Sequence, residues 1–350
     1  MSIAKRTVEL RSDTLTKPTP AMLQFMVQAE LGDDGYREDP TIIALEKKAA
    51  ALLGFEAGLF VNSGTQGNLV ALLSHCQHGD EVILEESAHL LMLEVAGMAA
   101  VGGLQARTLK GAEDSRGYME PDEIANMIRG EKVHWPKTGV ISIENTHNVG
   151  GGSALSLEQL AAMVAVAHEY RVPLHIDGAR IFNAAVGLGV PVKEVVKGAS
   201  SVQVCLTKGL GAPVGSVVVG SEAFIHRARK VRQTLGGGFR QGGIIAACGL
   251  YALDNHVERL AEDHAKAAKL SEALKAHTAF KVVSPKIPTN IVVFETTGTG
   301  YDADTWVLKF AELGIKCTAR TKNTLRFVTH MNVSEEDVAF AIQVIKGLAT

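Results

Sequence analysis

The stretch Ser201–Gly220, SVQVCLTKGLGAPVGSVVVG, holds a short apolar run, a single lysine, a glycine-rich turn and a second apolar run. It reads as a buried strand, a turn and another buried strand. Lys208 falls where the first strand runs out and its side chain can face a cleft. A lysine so placed can form a Schiff base with an aldehyde cofactor, because partial desolvation and a nearby cation lower its pKa toward neutrality. A lone strand-end lysine is ordinarily solvated or salt-bridged, so the reading depends on what accompanies it. The glycines after Lys208 do not form a dinucleotide loop. That fingerprint needs a following helix to hold the pyrophosphate, whereas Pro213 and the run Val217 to Val219 announce another strand.

Upstream, Val172 to Arg180, VPLHIDGAR, reads as a buried strand whose polar residues gather at its carboxyl end. Asp177 ends it. A carboxylate there keeps a pyridinium nitrogen protonated, so that the ring can absorb electrons; the alternative is an Asp177–Arg180 structural ion pair or a helix cap. Earlier still, Ala57 to Asn68, AGLFVNSGTQGN, gives a strand and then Ser63, Gly64 and Thr65 opening a helix with Leu69, Leu72 and Leu73 on one face. Free amides at a helix start suit a phosphate, although a plain cap uses the same residues. Phosphate cradle, ring-nitrogen carboxylate and Schiff-base lysine, in that order, are the parts of a pyridoxal phosphate (PLP) enzyme.

With these residues in place the chain resembles the low-specificity L-threonine aldolases, fold type I PLP enzymes of the aspartate aminotransferase superfamily. The resembling segments are LRSDTLTKPT (Leu10 to Thr19), GDDGYREDPT (Gly32 to Thr41), NSGTQGN, ENTHN (Glu144 to Asn148), HIDGARIFNA (His175 to Ala184), TKGLGAPVGS, GGGFRQ (Gly236 to Gln241) and LRFVTH (Leu325 to His330). They span nearly the whole chain in family order.

The resemblance implies roles. Lys208 would carry the cofactor, Asp177 would hold its ring nitrogen, and Gly64 and Thr65 its phosphate. His89, in ESAHLLMLE, would stack on the ring, and Glu94 would stand near the ring and a catalytic water. Ser12, Arg180 and Arg326 would grip the substrate carboxylate, Arg180 also bordering the cofactor. His134, in KVHWPKTG, would stand near the substrate hydroxyl, and Arg240 would reach a neighbouring subunit's phosphate. Each has a plainer reading: His89 as a polar residue at a helix start, Glu94 as a solvated helix residue, Arg326 as an edge arginine, His134 as a surface-loop histidine. Two positions depart from the family pattern: Leu93 stands where an aromatic is common, and Gln233 where a lysine is common.

The implied reaction is retro-aldol cleavage of L-threonine or L-allo-threonine to glycine and acetaldehyde. His89, His134 or a water held by Glu94 could take the β-hydroxyl proton. β-Elimination and racemisation are the alternatives on the same scaffold. The implied assembly is a homo-oligomer, a dimer of active-site-sharing subunits that pairs into a tetramer.

Composition agrees. A chain of 350 residues, 46% hydrophobic and with net charge -3, fits a globular enzyme with substantial cores. Basic residues are interspersed with acidic ones, which argues against nucleic acid as a partner. Cys76, Cys205, Cys248 and Cys317 are scattered without metal spacing, so buried free thiols in a reducing compartment are expected and no metal site is. No signal-peptide run or membrane span is evident, and the expected location is cytoplasmic.

Strands are expected at Leu59–Val61, Glu81–Leu84, Gln105–Leu109, Gly139–Ile143, Leu174–Ile176, Val202–Leu206 and Ser216–Val219. They alternate with helices such as Leu157–Tyr170, capped by Ser156. This predicts an α/β fold with a mostly parallel sheet covered on both faces. Ser221–Leu235 and Gly243–Leu274 read as long helices. A smaller α+β unit follows, with strands near Phe280–Val283, Ile291–Phe294 and Leu325–Val328 and helices at Ala303–Leu313 and Ser334–Gly347. The expected division is 1–256, an N-terminal segment and large cofactor-binding domain, and 257–350, a small domain joined through a helix.

Overall fold

The computed structural model describes residues 6–112, 115–283 and 285–348. Its centre is a seven-stranded sheet built from β1 (Ala57–Val61), β2 (Glu81–Glu85), β3 (Gln105–Leu109), β4 (Thr138–Glu144), β5 (Leu174–Asp177), β6 (Ser201–Cys205) and β7 (Ser216–Gly220). The strand order is β1-β7-β6-β5-β4-β2-β3. Every pairing is parallel except those of β7, which runs antiparallel to both β1 and β6. The carboxyl ends of β1 to β6 therefore share one edge, where ligands bind in open α/β sheets. Every residue of β2, β4, β5, β6 and β7 is buried, which is why these strands were legible as mainly apolar runs.

Helices cover the sheet. Leu157–Glu169 starts in a capping box between Ser156 and Gln159. Pro40–Leu53 starts at Asp39 and stops at Gly54, whose φ of 76° closes the helix in the left-handed region. The core between them includes Ile42, Leu45, Phe60, Ile141, Met163, Ile176, Val204 and Cys248.

A second, four-stranded antiparallel sheet has the order Thr318–Thr321, Thr324–Val328, Ile291–Glu295, Lys281–Val283. Helices Leu260–Lys275, Ala303–Glu312 and Glu335–Lys346 accompany it, around a core of Phe280, Phe294, Trp306, Phe310 and Phe327. Val8 and Leu10 belong to this core as well. Val8–Glu9 pairs in parallel with Ile315–Lys316, and Val328 N donates to Leu10 O at 2.9 Å. The amino-terminal segment is thereby pinned to the C-terminal unit, and the next residues, Ser12 and Asp13, are aimed at the large sheet.

One expectation fails here. Gly243–Leu274 is not a single helix but two, Gly243–Asn255 and Leu260–Lys275. The chain turns at His256, whose Nδ1 donates to Leu210 O at 2.7 Å, so the loop after Lys208 takes the place of continued helix. The strand Thr318–Thr321 was also not foreseen; only its bulged pairing with Thr324–Val328 identifies it. No helix among the described residues is long and apolar enough to cross a membrane.

Candidate active site

Asp177 ends β5 at the carboxyl edge of the sheet and is 2% exposed. Its Oδ1 accepts from Ala179 N at 3.1 Å, and its Oδ2 from Asn68 Nδ2 at 3.0 Å. With its amide nitrogen turned toward Asp177, Gln203 donates to Oδ1 at 3.1 Å while its oxygen accepts from Ser216 Oγ at 3.2 Å. All these donors are neutral. Arg180 does not pair with Asp177. It closes instead on Asp13, Nε to Oδ2 and Nη2 to Oδ1, each at 2.7 Å. The structural ion pair that the sequence left open as an alternative is therefore absent, and Asp177 keeps a buried negative charge with no cationic hydrogen-bond partner among the described residues. Such a charge costs several kcal/mol unless a positive group meets it.

Asn68 links two acids. On the helix Gly64–His75, its Nδ2 also donates to Glu94 Oε1 at 2.8 Å. The same Glu94 oxygen accepts from His89 Nδ1 at 2.9 Å. Behind Asn68, its Oδ1 faces His175 Nε2 at 3.3 Å. An amide oxygen only accepts, so this ring nitrogen carries the proton. Burial pushes His175 down to about 4, which keeps it neutral. That bond fixes Asn68 with its nitrogen toward the carboxylates. Hydrogen bonding to Glu94 raises the His89 pKa, with the charges of Asp177, Glu144 and Glu94 adding to it. Burial and the Asp177 charge push Glu94 up as well. His89, Glu94 and Asp177 bring candidate ligand atoms within 4.8 Å of one another. The Asn68 amide nitrogen donates to both carboxylates, however, so the space between them is filled by a donor rather than left for a cation.

Lys208 follows β6 and is half-buried. Its carbonyl accepts from Thr16 Oγ1 and from Gly211 N, both at 2.9 Å, which holds the turn. Its ammonium has no hydrogen bond or ion pair among the described residues, though its charge acts on Asp13. The helix Gly64–His75 opens at Ser63, whose side chain accepts from Gln66 N. Gly64 and Thr65 lie in the first turn, where amides have no intrahelical acceptor. A Cβ on Gly64 would lie 2.6 Å from Cys205 Sγ, so only glycine lets the helix start approach β6 this closely.

Arg326 completes a second group. Its Nη1 donates to Asn148 Oδ1 at 2.9 Å and its Nη2 to Arg11 O at 3.1 Å, beside Ser12. Its Nε is buried without a partner. Burial, with the charges of Arg180 and Arg320, lowers its pKa to about 10. Ser12 Oγ accepts from Thr14 N at 3.2 Å and from Thr14 Oγ1 at 2.8 Å, capping a short turn over Asp13–Leu15.

The fold thus gathers Asp177, Lys208, Gly64, Thr65, His89 and Glu94 at one edge of the sheet, with Arg180, Arg326 and Ser12 joined through Asp13 and its neighbours. Two expected residues are not gathered within one chain. His134 is exposed in the turn before β4, at the amino edge, and a seven-residue strand separates the two edges by roughly 20 Å. Arg240 is also exposed; among the described residues its guanidinium pairs with Asp33, at 3.5 Å, and its carbonyl accepts from Asp34 N at 3.0 Å. Sequence reasoning missed Asp13, Asn68, Gln203 and Asn148. All four lie inside quoted stretches, yet nothing local says which distant side chain each one meets.

The beta-eliminating lyase family matches residues 9–297. A low-specificity L-threonine aldolase of Arabidopsis thaliana is 43% identical over 341 residues, 96% of this chain and 95% of the relative. The low specificity L-threonine aldolase of Escherichia coli K12 is 42% identical over 332 residues, 95% of this chain and 96% of the relative. A solved threonine aldolase of Leishmania major superposes with a TM-score of 0.82 at 18% identity, covering 97% of this chain and 98% of that one, a likeness of fold. The chain belongs to the low-specificity L-threonine aldolase family, within the beta-eliminating lyases.

Proposed function

We propose that this enzyme binds PLP and cleaves L-threonine and L-allo-threonine to glycine and acetaldehyde. The observation that carries the reading is Asp177, a buried carboxylate held by neutral donors and with no cationic hydrogen-bond partner among the described residues, a partner that a protonated ring nitrogen would supply. Lys208 fits an aldehyde carbon because its amine is half-buried and has no ion pair among the described residues. The first-turn amides of Gly64 and Thr65 fit a phosphate.

PLP, when bound, supplies an electron-accepting ring that stabilises negative charge at Cα. Arg326, Arg180 and Ser12 would bind the substrate carboxylate and so fix how the bonds at Cα are oriented. His89 has Nδ1 committed to Glu94, leaving Nε2 to face the substrate; either this nitrogen or a water held by Glu94 takes the β-hydroxyl proton. The Cα–Cβ bond breaks, its electron pair remains at Cα, the hydroxyl carbon becomes the aldehyde carbonyl, and a proton delivered to Cα completes glycine.

Incubating the purified enzyme with L-threonine, L-allo-threonine, L-serine and L-alanine tests this. Glycine and acetaldehyde are expected from the first two substrates. Keto acids and ammonia would instead point to β-elimination, and D-amino acids to racemisation. Lys208→Ala is expected to abolish turnover, and borohydride reduction followed by peptide mapping is expected to find the cofactor on Lys208.

The active unit is at least a dimer, with Arg240 reaching a neighbour's phosphate and tetramer formation beyond it. Support comes from the 70% exposure of the Arg240 side chain and from the exposure of Met92, Leu93 and Val95. An active monomer in sedimentation would overturn this. Four free, buried cysteines support a reducing, cytoplasmic setting. The break at 256–259 and the second core support a division into 1–256 and 257–350, although Val8 and Leu10 cross it.

A further inference from the structure

Thr318–Thr321 pairs with Thr324–Val328 through Thr318 to Arg326 and Ala319 to Leu325, then skips to Thr321 with Thr324. Arg320 is the extra residue of this β-bulge, and bulges beside active sites re-aim a side chain. Arg180 is closed on Asp13, and Arg326 is held by Asn148 and Arg11 O. Arg320 differs: its guanidinium is half-buried and has no hydrogen bond or ion pair among the described residues.

Arg320 lines a cavity of about 690 Å³ with Ser87, Leu93, Arg116 and Gly150 among its walls. The Arg320 charge acts on Arg326, and the charges of Arg180 and Glu144 act on Arg320, which places this cavity wall near the site already described; several of its other wall residues are chain neighbours of site residues. Ser87 and Leu93 lie on either side of His89, Leu93 immediately precedes Glu94, and Gly150 lies just beyond Asn148, the partner of Arg326. Of the cationic side chains on the cavity wall, Lys281 is met by Glu295 at 3.6 Å. Arg116 and Arg320 have no ion pair among the described residues, so the described wall of the cavity carries more positive than negative groups. Burial and the charge of Arg180 both lower the Arg320 pKa, against the opposing pull of Glu144. A guanidinium in that position gains from a planar anion, which it can bind through two parallel N–H bonds.

We propose that Arg320 is a specificity-determining residue that binds a carboxylate on the β-substituent of the substrate, making 3-hydroxyaspartate a substrate of this enzyme. The proposal rests on the aldolase reading of the adjoining site. The Cα–Cβ bond breaks as it does for threonine, the hydroxyl proton leaves, Cα is protonated, and the products are glycine and glyoxylate, with no further reactant. Leu93 and Met92 supply part of the apolar lining of the same cavity.

The test compares wild type, Arg320→Gln and Arg320→Lys as PLP-loaded enzymes. The ratio of kcat/KM for 3-hydroxyaspartate over threonine is expected to fall about tenfold to hundredfold in Arg320→Gln, as for a lost hydrogen bond to a charged group. The fall should come chiefly through KM, and Arg320→Lys should recover part of it. Calorimetric binding of L-aspartate relative to L-alanine should fall in the same direction, a readout that needs no bond cleavage. Unchanged ratios in Arg320→Gln, with threonine cleavage intact, overturn the role of Arg320. A wild type that cleaves neither substrate, yet prefers L-aspartate in an Arg320-dependent way, overturns the aldolase reading alone.

Discussion

Arg180 and Asp13 face each other in a buried bidentate pair, Nε to Oδ2 and Nη2 to Oδ1, both at 2.7 Å. Arg180 immediately precedes the helix Ile181–Leu188 beside the large sheet, whereas Asp13 follows the segment that Val8–Glu9 pins to Ile315–Lys316. One ion pair therefore locks the amino-terminal segment onto the large sheet, orients Arg180 and leaves Asp177 without a cationic hydrogen-bond partner among the described residues.

Asp13→Asn should destabilise the protein by about 3–5 kcal/mol, because it leaves a buried guanidinium without its counter-charge. Urea unfolding measures this. Burial alone would raise the Asp13 pKa, but the charge and hydrogen bonds of Arg180, the charge of Lys208 and the Asn290 bond hold it far below its ordinary 3.8. The pair's contribution is present above the unfolded pKa near 3.8 and is lost as pH falls toward the lower folded value. Wild type should therefore lose stability below about pH 4 more steeply than Asp13→Asn; parallel acid-unfolding curves would count against this account.

Asp177→Asn should retain some cofactor and slow turnover about a hundredfold or more, the scale of a charged hydrogen bond lost in a buried site. An amide there also brings its NH2 against donors already in place, Asn68 Nδ2 and Ala179 N. Steady-state kinetics on L-threonine checks it. Turnover near that of wild type would mean that Asp177 is a structural residue.

Glu94→Gln should move the acid limb of the kcat/KM profile to lower pH. The Glu94 hydrogen bond raises the His89 pKa from 6.5, so the imidazole stays protonated beyond that value and activity requiring its neutral form rises above it. Removing the carboxylate charge lowers the His89 pKa and brings the limb down. A limb that stays in place while kcat falls would assign Glu94 to the water and not to His89.

Leu93→Tyr should change the relative cleavage rates of threonine, allo-threonine and phenylserine. Leu93 is 47% exposed and lines the cavity beside the site. Its apolar wall should let phenylserine be cleaved at a rate comparable to threonine, with selectivity between the two β-configurations below about tenfold, since one absent hydrogen bond is worth ~1 kcal/mol. Identical ratios in wild type and variant would show that Leu93 does not face the substrate.

The sequence by itself determined the strands of the large sheet and the polar residues at their ends. Parallel strands buried on both faces are near-continuous apolar runs, so the polar residues that follow each run, such as Asp177, or Thr207 and Lys208, mark the carboxyl edge. Gly64 was legible for a similar local reason, since a serine-capped helix start directly follows a strand. Tertiary structure alone decided the partners. Arg180 had an acid three residues away in Asp177, yet it pairs with one 167 positions distant. Asn68 spans separations of 26 and 109 to reach Glu94 and Asp177. The break at His256, the remoteness of His134 and the bulge that frees Arg320 belong to the same class. Periodicity records only which face of an element is buried; which charged group meets which is set by register and by the loops that bring distant segments together, and no local pattern carries that choice.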